Sequence, residues 1–415
     1  MTADTTLPIG IVGAGIAGLS FAISLQKQRI KSIIFEKDKG FHCRHQGYGL
    51  TLQQGGKAFN KLDLLHQIQS KCVLSNCHYI FNNCGELILG WGSFQSLDDN
   101  SKWDSKYICH IARQDLRECF INELDPEFVT IRWESEFESY LDTDDSVLVK
   151  LKNLEPPIPL RMLAGCDGIY SQVRKSLIPN SSLIFLNTFV MLGIVKSSPT
   201  FHHRVIQMSN GHARIFCMPF NKDEVMWQLS FPNESTARVD KAELKQLAIN
   251  KCFDFHSTIL NIIQETPDHN ITGYPVFDRE TLENSDFPTN SKITLLGDAA
   301  HPMSPFKGQG ANQALLDALS LTEFILKFDK MEVAIAEYQQ RMITRTKSKV
   351  SGSREAIALL HNEAFVNTEY QLTRKHFANI DKHLAMYSSI KDKEIGIWNI
   401  EKIDTELESE LAKLA

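Results

Sequence analysis

The residues best suited to bind a charged ligand near the start of the chain are glycines at fixed spacing. In such a pattern the first glycine, Gly13, permits a tight turn, and Gly15 lets a pyrophosphate approach the backbone. Gly18 then allows a helix to pack closely on a strand. The N-terminus of that helix offers free N–H groups and a positive dipole end to a phosphate. We therefore predict a dinucleotide site at Gly13, Ala14, Gly15, Ile16, Ala17 and Gly18.

An acidic residue follows at the distance that this kind of site requires. The apolar run at residues 9–12 leads into the glycines, apolar residues then recur at helical spacing, and a second β-rich run ends at Phe35. Glu36, with Lys37 beside it, comes next, where a carboxylate can accept hydrogen bonds from ribose hydroxyls and would repel a 2'-phosphate. The resident nucleotide is thus predicted to be FAD or NAD, and not NADPH.

A second polar constellation lies almost three hundred residues later. A predicted buried strand at residues 293–296 delivers Gly297 and Asp298 to its carboxyl end, where ligands sit in α/β folds. A glycine-rich loop and a helix starting near Gly310 follow, and this helix N-terminus could stabilise the negative charge that reduced flavin carries near N1. The candidate flavin contacts here are Asp298, Pro305, Gly308, Gly310, Ala311 and Asn312.

These motifs, in this order, resemble those of the group A FAD-dependent aromatic monooxygenases, which have the p-hydroxybenzoate hydroxylase fold. The resemblance covers about residues 8–345 and includes a middle motif, Cys166-Asp167-Gly168, with Ser171 and Arg174. It also extends, more distantly, to the tetracycline-inactivating monooxygenases. Those relatives carry an acidic residue where this chain has Thr51.

The resemblance implies an α/β fold: a Rossmann-type, glutathione-reductase-like FAD-binding domain with an inserted β-sheet substrate domain and a C-terminal helix. We assign residues 1–74, 99–180 and 275–345 to the FAD-binding domain, residues 75–98 and 181–274 to the substrate domain, and residues 346–415 to a C-terminal helical segment. In relatives with a similar tail the C-terminal helix braces the two domains; it could instead serve a dimer interface or a lid.

Three further cofactor contacts follow from the resemblance. Asp167 belongs to the motif that lies near both FAD and the transient nicotinamide route. Arg113 matches an arginine that contacts the flavin region, and Arg44 falls where relatives place an arginine near flavin or NADPH. The alternative for both arginines is a solvated surface position. His301 could be taken for a catalytic base, but in the family this position packs beside the flavin.

The candidate wall of the substrate site is an antiparallel β segment at residues 204–231, with a turn at 221–224. Alternation along it places Arg214, Phe216 and Met218 on one face, and either Trp227 or Gln228 on the neighbouring strand could join them. The candidate substrate contacts are Arg214, Phe216, Met218, Trp227, Gln228, Pro305 and Phe306. Such a lining suits a planar, partly aromatic compound, although any one of these residues could be ordinary core.

The resemblance implies that NADPH or NADH reduces FAD, that reduced flavin captures O2 as a C4a-hydroperoxide, and that one oxygen atom passes to an aromatic or polycyclic substrate, tetracycline-like or polyketide compounds included. Flavin carries this chemistry, so no catalytic side chain is assigned. No second glycine fingerprint is present, so NAD(P)H is expected to visit and leave. The competing readings are a flavin-dependent halogenase, disfavoured because no Trp-x-Trp-x-Ile-Pro motif occurs, and a non-catalytic flavin-bound redox regulator.

Composition argues against other classes of protein. The net charge of −6, with no long basic block, disfavours nucleic acid as a partner. Nine scattered cysteines without a Cys-x-x-Cys pair fit neither a disulfide framework nor a zinc site and suggest a reducing compartment; we expect no metal, and the cluster at Cys72, Cys77 and Cys84 is the one place where a metal could be sought. The uncharged stretch at residues 7–25 is interrupted by glycines and lacks a basic leader, so we expect no membrane span and a cytoplasmic protein, monomeric or homodimeric.

Overall fold

The computed structural model describes residues 6–43, 47–52, 55–92, 108–152, 154–368 and 395–413. The helices are α1 (Ile16–Gln26), α2 (Gly55–Lys61), α3 (Leu65–Lys71), α4 (Arg113–Asn122), α5 (Gln172–Leu177), α6 (Leu244–Lys251), α7 (Ser257–Glu265), α8 (Gly310–Lys327), α9 (Met331–Leu360) and α10 (Ile400–Lys413). The strands are β1 (Ile9–Val12), β2 (Ser32–Phe35), β3 (Gly49–Leu52), β4 (Val73–Ser75), β5 (Cys77–Asn82), β6 (Leu87–Gly92), β7 (Ile108–Ala112), β8 (Val129–Arg132), β9 (Phe137–Asp142), β10 (Val147–Leu151), β11 (Leu154–Leu160), β12 (Met162–Gly165), β13 (Ile184–Lys196), β14 (Arg204–Ser209), β15 (Arg214–Pro219), β16 (Glu224–Pro232), β17 (Ile271–Asp278) and β18 (Ile293–Leu295).

A five-stranded sheet has the strand order β18-β12-β1-β2-β8. It forms the centre of the part of the molecule that carries the glycine turn, which we call the cofactor half. All of its neighbouring strands pair in parallel. β1 lies in the middle and is buried throughout, as expected of an apolar strand that is covered on both faces. The carboxyl ends of β1, β12 and β18 therefore meet at one edge, which is where ligands bind in such sheets.

Helix α1 explains why the beginning of the chain is so apolar. Every residue from Ile16 to Leu25 is buried, because the helix packs against α8 and α4 as well as against the sheet. The uncharged stretch is thus strand, turn and buried helix, as the glycines indicated. Over the part of the chain that the structure describes, no helix is long and apolar enough to cross a membrane.

A larger, seven-stranded sheet runs in the order β17-β13-β16-β15-β14-β5-β6. Its neighbours pair antiparallel except for β14 and β5, which are parallel. The segment predicted as one alternating run, residues 204–219, is two strands that turn back at residues 210–213. The α/β fold predicted from the motifs, a parallel nucleotide-binding sheet joined to a separate large sheet, is confirmed.

The two faces of the seven-stranded sheet have different neighbours. What we call the outer face carries Met191, Ile215 and Trp227 and packs against α6, α7 and α10 in one apolar cluster. The opposite face, called the crevice face, carries Val190, Leu192, Val205, Met218 and Met226, and Tyr48, Phe216 and Phe306 pack against it. This face adjoins the cofactor half, because two residues that pack on it come from there: Tyr48, which contacts Arg113 at the start of α4, and Phe306, which follows the β18 turn.

Two small antiparallel sheets complete the fold. The order β3-β7-β4 places the end of β7, and with it the start of α4, beside the cofactor half, whereas β11-β10-β9 forms a separate three-stranded sheet. Within the described residues, the predicted helical tail contains the end of α9, short 3-10 turns at Glu363–Val366 and Ile397–Asn399, and α10.

Helix α9 contacts both large sheets. About two turns after the start of α9, the Tyr338 hydroxyl donates a 3.0 Å hydrogen bond to the Leu295 carbonyl at the end of β18. Near its end Leu360 packs against Ile80 and Leu89 of the seven-stranded sheet. The Arg354 guanidinium donates to both carboxylate oxygens of Asp278 on β17, at 2.6 and 3.0 Å. A long helix that joins the two halves is therefore present, although it begins before the predicted tail.

Candidate cofactor and substrate site

The glycine turn between β1 and α1 has three sterically different positions. Gly13 has φ +105°, and a side chain there would also meet the Cys166 carbonyl oxygen at 2.7 Å. At Gly18 an added Cβ would overlap the Gly13 carbonyl oxygen, so this glycine is needed for packing. At Gly15 the space is open except for the Arg113 guanidinium, with Nη2 at 3.8 Å. A phosphate can therefore approach the backbone at Gly15.

Glu36 braces the turn from the end of β2. Its carboxylate accepts a hydrogen bond from the Ala14 N–H at 2.7 Å and another from the Asp38 N–H at 3.0 Å. Glu36 is buried, whereas Lys37 beside it is exposed. The predicted acid thus lies directly at the glycine turn, where ribose hydroxyls of a bound dinucleotide would reach it.

Arg117 is a bracing residue that sequence reasoning missed. Its Nε donates a 3.1 Å hydrogen bond to the Ala14 carbonyl oxygen, so Ala14 is held on both sides, and the side chain is buried. The available signal was its position one helical turn after Arg113 on α4, which puts both arginines on the same face of the helix.

Asp298 lies at the carboxyl end of β18, as predicted. Its side chain reaches solvent, yet the surrounding protein desolvates it and raises the pKa of Asp298 above its usual value, while the positive charge of Arg113 acts in the other direction. Its Oδ1 lies 3.5 Å from where a Cβ of Gly310 would stand, so Asp298 faces the first turn of α8. These properties are those of a carboxylate on the wall of a crevice.

The turn that presents Asp298 is held by Asp317, a second residue that sequence reasoning missed. The fully buried Asp317 carboxylate accepts the Gly297 N–H at 2.8 Å and lies 2.6 Å from Nε2 of His301; Arg345 donates to its other oxygen. Burial alone would raise the pKa of Asp317, but His301 and the other donors outweigh burial and lower it. His301 is thus occupied by a structural contact.

The loop from Pro305 to Asn312 is fixed by a left-handed glycine and an amide. Gly308 has φ +59° and ends a 3-10 turn that Pro305 begins, and α8 starts at Gly310 as predicted. The Asn312 side chain donates to the Gly308 carbonyl at 2.9 Å and to the Thr51 carbonyl of β3 at 3.2 Å. The start of α8, including the half-buried Ala311, is thereby set beside β3.

The middle motif approaches the same edge of the parallel sheet. Asp167 accepts the backbone N–H groups of Gln172 at 2.7 Å and Val173 at 3.3 Å through one oxygen, and its buried Oδ1 has no partner among the described residues. Burial raises the pKa of Asp167. The buried Arg174 donates to the carbonyl of Ala299 at 3.0 Å and so joins this motif to the Asp298 turn.

On the seven-stranded sheet, the pairing register decides between Trp227 and Gln228. Phe216 pairs with Gln228, whereas Trp227 pairs with Cys217. Because directly paired residues share a face, Gln228 lies with Phe216, and with Arg214 and Met218 two residues away on either side. Trp227 is on the outer face, fully buried, and its indole N–H donates to Thr266 Oγ1 at 2.8 Å. The structure therefore does not bring Trp227 together with the other candidate substrate residues.

The crevice face combines aromatic and polar groups. The buried Arg214 donates to Gln207 Oε1 from Nε and Nη2, at 3.1 and 2.8 Å, and its guanidinium carbon lies 5.1 Å from the Phe216 ring centroid. The Gln228 amide nitrogen is buried without a partner in the described part of the chain. Phe306 packs against this face and carries the loop that begins at Pro305 to the same place. Arg44, the remaining predicted contact, lies outside the described residues.

These features fit a bound flavin dinucleotide. The open position at Gly15, the acid at the turn, and the Nε of Arg113, which has no partner among the described residues, suit a pyrophosphate with its ribose. Asp298 faces the start of α8. FAD would thus be held by the glycine turn at one end and by the loop at Pro305–Asn312 at the other. Among the residues described, no group of three or more His, Cys, Asp or Glu side chains could hold a metal ion.

Comparison with known proteins decides the family. A model of the FAD binding domain family matches residues 6–332, which is most of the chain. The chain belongs to this family. It is a flavoprotein of the group A FAD-dependent aromatic monooxygenase type, and the resemblance predicted from its motifs is confirmed.

Individual relatives are distant but cover nearly the whole of this FAD-dependent monooxygenase. The monooxygenase cfoF of Aspergillus candidus is 24% identical over 389 residues, which span 85% of this chain and 91% of the relative. The crystal structure of Klebsiella pneumoniae HpxO complexed with FAD and uric acid superposes with a TM-score of 0.73 at 16% identity, covering 96% of each chain. The tetracycline destructase Tet(51) has a TM-score of 0.60 at 17% identity, covering 88% of this chain and 96% of its own.

Proposed function

We propose that this FAD-dependent monooxygenase takes electrons from NADPH or NADH and transfers one atom of O2 to an aromatic or polycyclic small molecule. The observation that supports the proposal is that Phe306, which follows the Asp298 turn, and Tyr48, which contacts Arg113, both pack against the sheet face that bears Phe216. When bound there, FAD would supply the redox and oxygen chemistry, and the protein would supply position, electrostatics and exclusion of water.

We assign the cofactor residues separate tasks. The backbone at Gly13–Gly18 would bind the pyrophosphate, with Glu36 at the ribose. Asp298 would hold the ribityl chain, and the N–H groups at the start of α8, near Ala311 and Asn312, would stabilise negative charge on the reduced ring. Arg113 would contribute a positive charge beside the same ring, and Asp167 would lie close to the route of the nicotinamide. These are positioning and electrostatic tasks, and none of them moves a proton.

The proposed substrate is planar and partly aromatic. Phe216, Phe306 and the methionines of the crevice face offer an apolar, polarisable wall, and Arg214 and Gln228 offer donors to an oxygen or an anionic group. HpxO has been crystallised with uric acid, a flat bicyclic compound. We extend the class to polycyclic polyketides, tetracyclines among them, and test both size classes. NAD(P)H would use the same open side of the crevice and then leave.

The proposal includes a division of labour within the chain. We assign residues 75–98 and 181–274 to the substrate domain, because β5, β6 and β13–β16 belong to the seven-stranded sheet. The cofactor would be held by residues 1–74, 99–180 and 275–345. The tail from residue 346 would contribute the end of α9 as a brace and α10 as a cover of the outer face.

The function is tested by screening for substrate-accelerated oxidation of NADPH and of NADH. Bicyclic aromatic compounds and tetracyclines are added to the FAD-loaded enzyme under air, and products are read by mass spectrometry. The expected result is faster oxidation with at least one compound and a product heavier by one oxygen atom. Slow oxidation that yields only hydrogen peroxide with every compound contradicts the proposal, as does a halogenated product in the presence of chloride or bromide.

Asp298→Ala tests the cofactor assignment. Removing the carboxylate should leave the protein folded but depleted of FAD, and the ratio of flavin absorbance at about 450 nm to protein absorbance at about 280 nm measures this. The matched control is Asp286→Ala, which removes an exposed carboxylate from the short 3-10 turn before β18. Full FAD content in Asp298→Ala would refute the assignment.

A further inference from the structure

Tyr48 stands where the cofactor half meets the substrate sheet. Its carbonyl oxygen accepts the Arg113 N–H at 3.0 Å. The next residue, Gly49, donates its N–H to Met226 Sδ at 3.0 Å, and an added Cβ there would overlap the Met218 side chain. The backbone around Tyr48 is therefore pressed onto the crevice face, and Tyr48 has little freedom to move away.

The side chain of Tyr48 is fixed at both ends. Its ring packs against the apolar cluster of the crevice face, and Phe216 and Phe306 pack against the same cluster. Its hydroxyl accepts a hydrogen bond from Nη1 of Arg113, whose guanidinium carbon lies 5.1 Å from the Tyr48 ring centroid. The same guanidinium reaches the glycine turn through Nη2. Tyr48 is thus the side chain through which Arg113 touches the candidate substrate wall.

The direction of that hydrogen bond leaves the Tyr48 proton free. A guanidinium can only donate, so the phenolic oxygen is the acceptor and its own O–H points to another partner. Within the described residues, no hydrogen bond uses that proton. Burial raises the pKa of Tyr48, so the hydroxyl stays protonated in the neutral range and remains a donor. Tyr48 is half-buried, so its hydroxyl can meet a molecule that binds against the crevice face, and a polar donor in that position commonly finds its partner in a bound ligand.

We propose that Tyr48 is a specificity-determining residue, whose hydroxyl donates a hydrogen bond to a carbonyl or hydroxyl oxygen on the aromatic substrate, with Arg113 fixing its direction. The ring would pack along the plane of the substrate together with Phe216, and the hydroxyl would select compounds that carry an oxygen at that edge. This inference rests on the proposed function and adds the chemistry by which the site would choose among aromatic compounds.

The test measures the binding of two bicyclic probes. They are 4-hydroxyquinoline, which exists in water mainly as the 4-quinolone and so carries a carbonyl oxygen at C4, and quinoline, which has no oxygen. Perturbation of the flavin absorbance gives the Kd of each probe for the FAD-loaded wild type and for Tyr48→Phe. One neutral hydrogen bond corresponds to about 3- to 10-fold in affinity. We expect 4-hydroxyquinoline to bind the wild type more tightly than quinoline does, and Tyr48→Phe to weaken 4-hydroxyquinoline by about 3- to 10-fold while leaving quinoline unchanged.

Several outcomes would overturn the proposal. The first is that the two probes bind the wild type equally, or that neither binds. The second is that Tyr48→Phe weakens both probes equally, which would mean that only the ring matters. The third is a changed Kd for FAD, which would place the hydroxyl against the cofactor. Tyr140→Phe, on the separate three-stranded sheet, controls for loss of a phenol elsewhere. Thermal unfolding checks that Tyr48→Phe is folded.

Failure of this inference is distinguishable from failure of the proposed function. If substrate-accelerated NADPH oxidation occurs and the two probes behave alike, the monooxygenase assignment stands and the assignment of Tyr48 falls. A second variant, Tyr48→Leu, removes the ring as well; it should weaken both probes, whereas Tyr48→Phe should weaken only one. Identical behaviour of the two variants would also count against the hydroxyl.

Discussion

The two faces of the seven-stranded sheet are built from the same strands but have opposite character. On the outer face, Trp227 and its apolar neighbours are covered by helices, and the indole N–H of Trp227 has its partner in Thr266. The crevice face mixes Arg214, Gln207 and Gln228 with apolar side chains, and the amide nitrogen of Gln228 is buried without a partner in the described structure. Among the described residues, a buried polar atom without a partner on the crevice face indicates that this face is the one that binds a ligand.

The largest expected effect concerns core packing. Trp227→Ala on the outer face should lower the free energy of unfolding by about 3–5 kcal/mol, because a fully buried indole is replaced by a cavity. Phe216→Ala on the crevice face should cost clearly less, because Phe216 is only partly buried. Denaturant unfolding followed by circular dichroism measures both. Equal losses for the two variants would contradict the difference between the faces.

The next largest effect concerns the hydrogen bonds that hold α10 against the outer face. Asp404 accepts hydrogen bonds from Arg204, with Nε at 3.0 Å, and from the Tyr79 hydroxyl. Asp404→Ala should cost about 1–3 kcal/mol in the same unfolding assay, since it removes the carboxylate that accepts from Nε and Nη2 of the largely buried Arg204. The control is Glu323→Ala, which breaks the exposed pair with Arg341 and should change stability by less than about 1 kcal/mol.

Two glutamines on the crevice face provide a matched pair. Gln207 and Gln228 both pair with Phe216, from opposite sides. Gln207→Met removes the acceptor of two Arg214 donors and should cost about 1–3 kcal/mol. Gln228→Met removes an amide whose nitrogen has no partner within the described chain, so stability should stay within about 1 kcal/mol or improve.

The two glutamine variants should also differ in how much of their NADPH oxidation is coupled to oxygenation of a substrate. In Gln228→Met, the share of NADPH oxidation that ends in oxygenated product is expected to fall, with the remainder appearing as hydrogen peroxide. If Gln228→Met is strongly destabilised and retains full coupling, Gln228 belongs to the core and not to the substrate site.

The smallest expected effect is a pH dependence of the free energy of unfolding, which arises from His361 at the crevice face. His361 lies 2.9 Å from Ser230 Oγ through Nε2 and packs edge-on against Phe306; burial lowers its pKa from 6.5 to about 4. A histidine whose folded pKa is lowered takes up its proton more readily when unfolded. Its contribution is therefore fully present above pH 6.5 and is lost as the pH falls from 6.5 towards about 4.

Two histidine variants separate the contribution of His361 to stability from that of other titrating groups. His361→Gln should flatten the fall of the free energy of unfolding over this pH range, measured by denaturant titration at several pH values, whereas His212→Gln at an exposed position should leave the slope as in the wild type. An unchanged slope in His361→Gln would show that the imidazole is not held neutral by burial.

Sequence patterns predicted the cofactor half well because its signals are local. The glycine turn, Glu36 and the Asp298 turn each depend on chain segments of a few dozen residues, and the structure brings them to one sheet edge. The substrate half was less predictable. The choice between Trp227 and Gln228 required the register of β15 with β16, since a shift of one residue exchanges the two faces. Whether the assigned residues contact FAD and substrate stays a prediction.

The residues that sequence reasoning missed share a physical reason. Asp317 lies within an apolar helix and reads as an ordinary charged position until tertiary packing brings the Gly297 N–H and His301 to it. Tyr48 reads as a strand-edge aromatic until α4 places Arg113 against its hydroxyl. Both depend on contacts between segments more than fifteen residues apart in sequence, and no local pattern records such contacts.

The sequence by itself determined the family, the flavin dinucleotide and the α/β fold of this protein. Its glycine spacing specifies a backbone turn, and its acids at strand ends specify ligand contacts, that few other structures need. The tertiary structure decided which face of the large sheet Tyr48 and Phe306 pack against, which aromatic residue belongs to the core, and which buried polar atoms of the described residues have no partner. Those properties depend on strand register and long-range packing, and they determine what the crevice can bind.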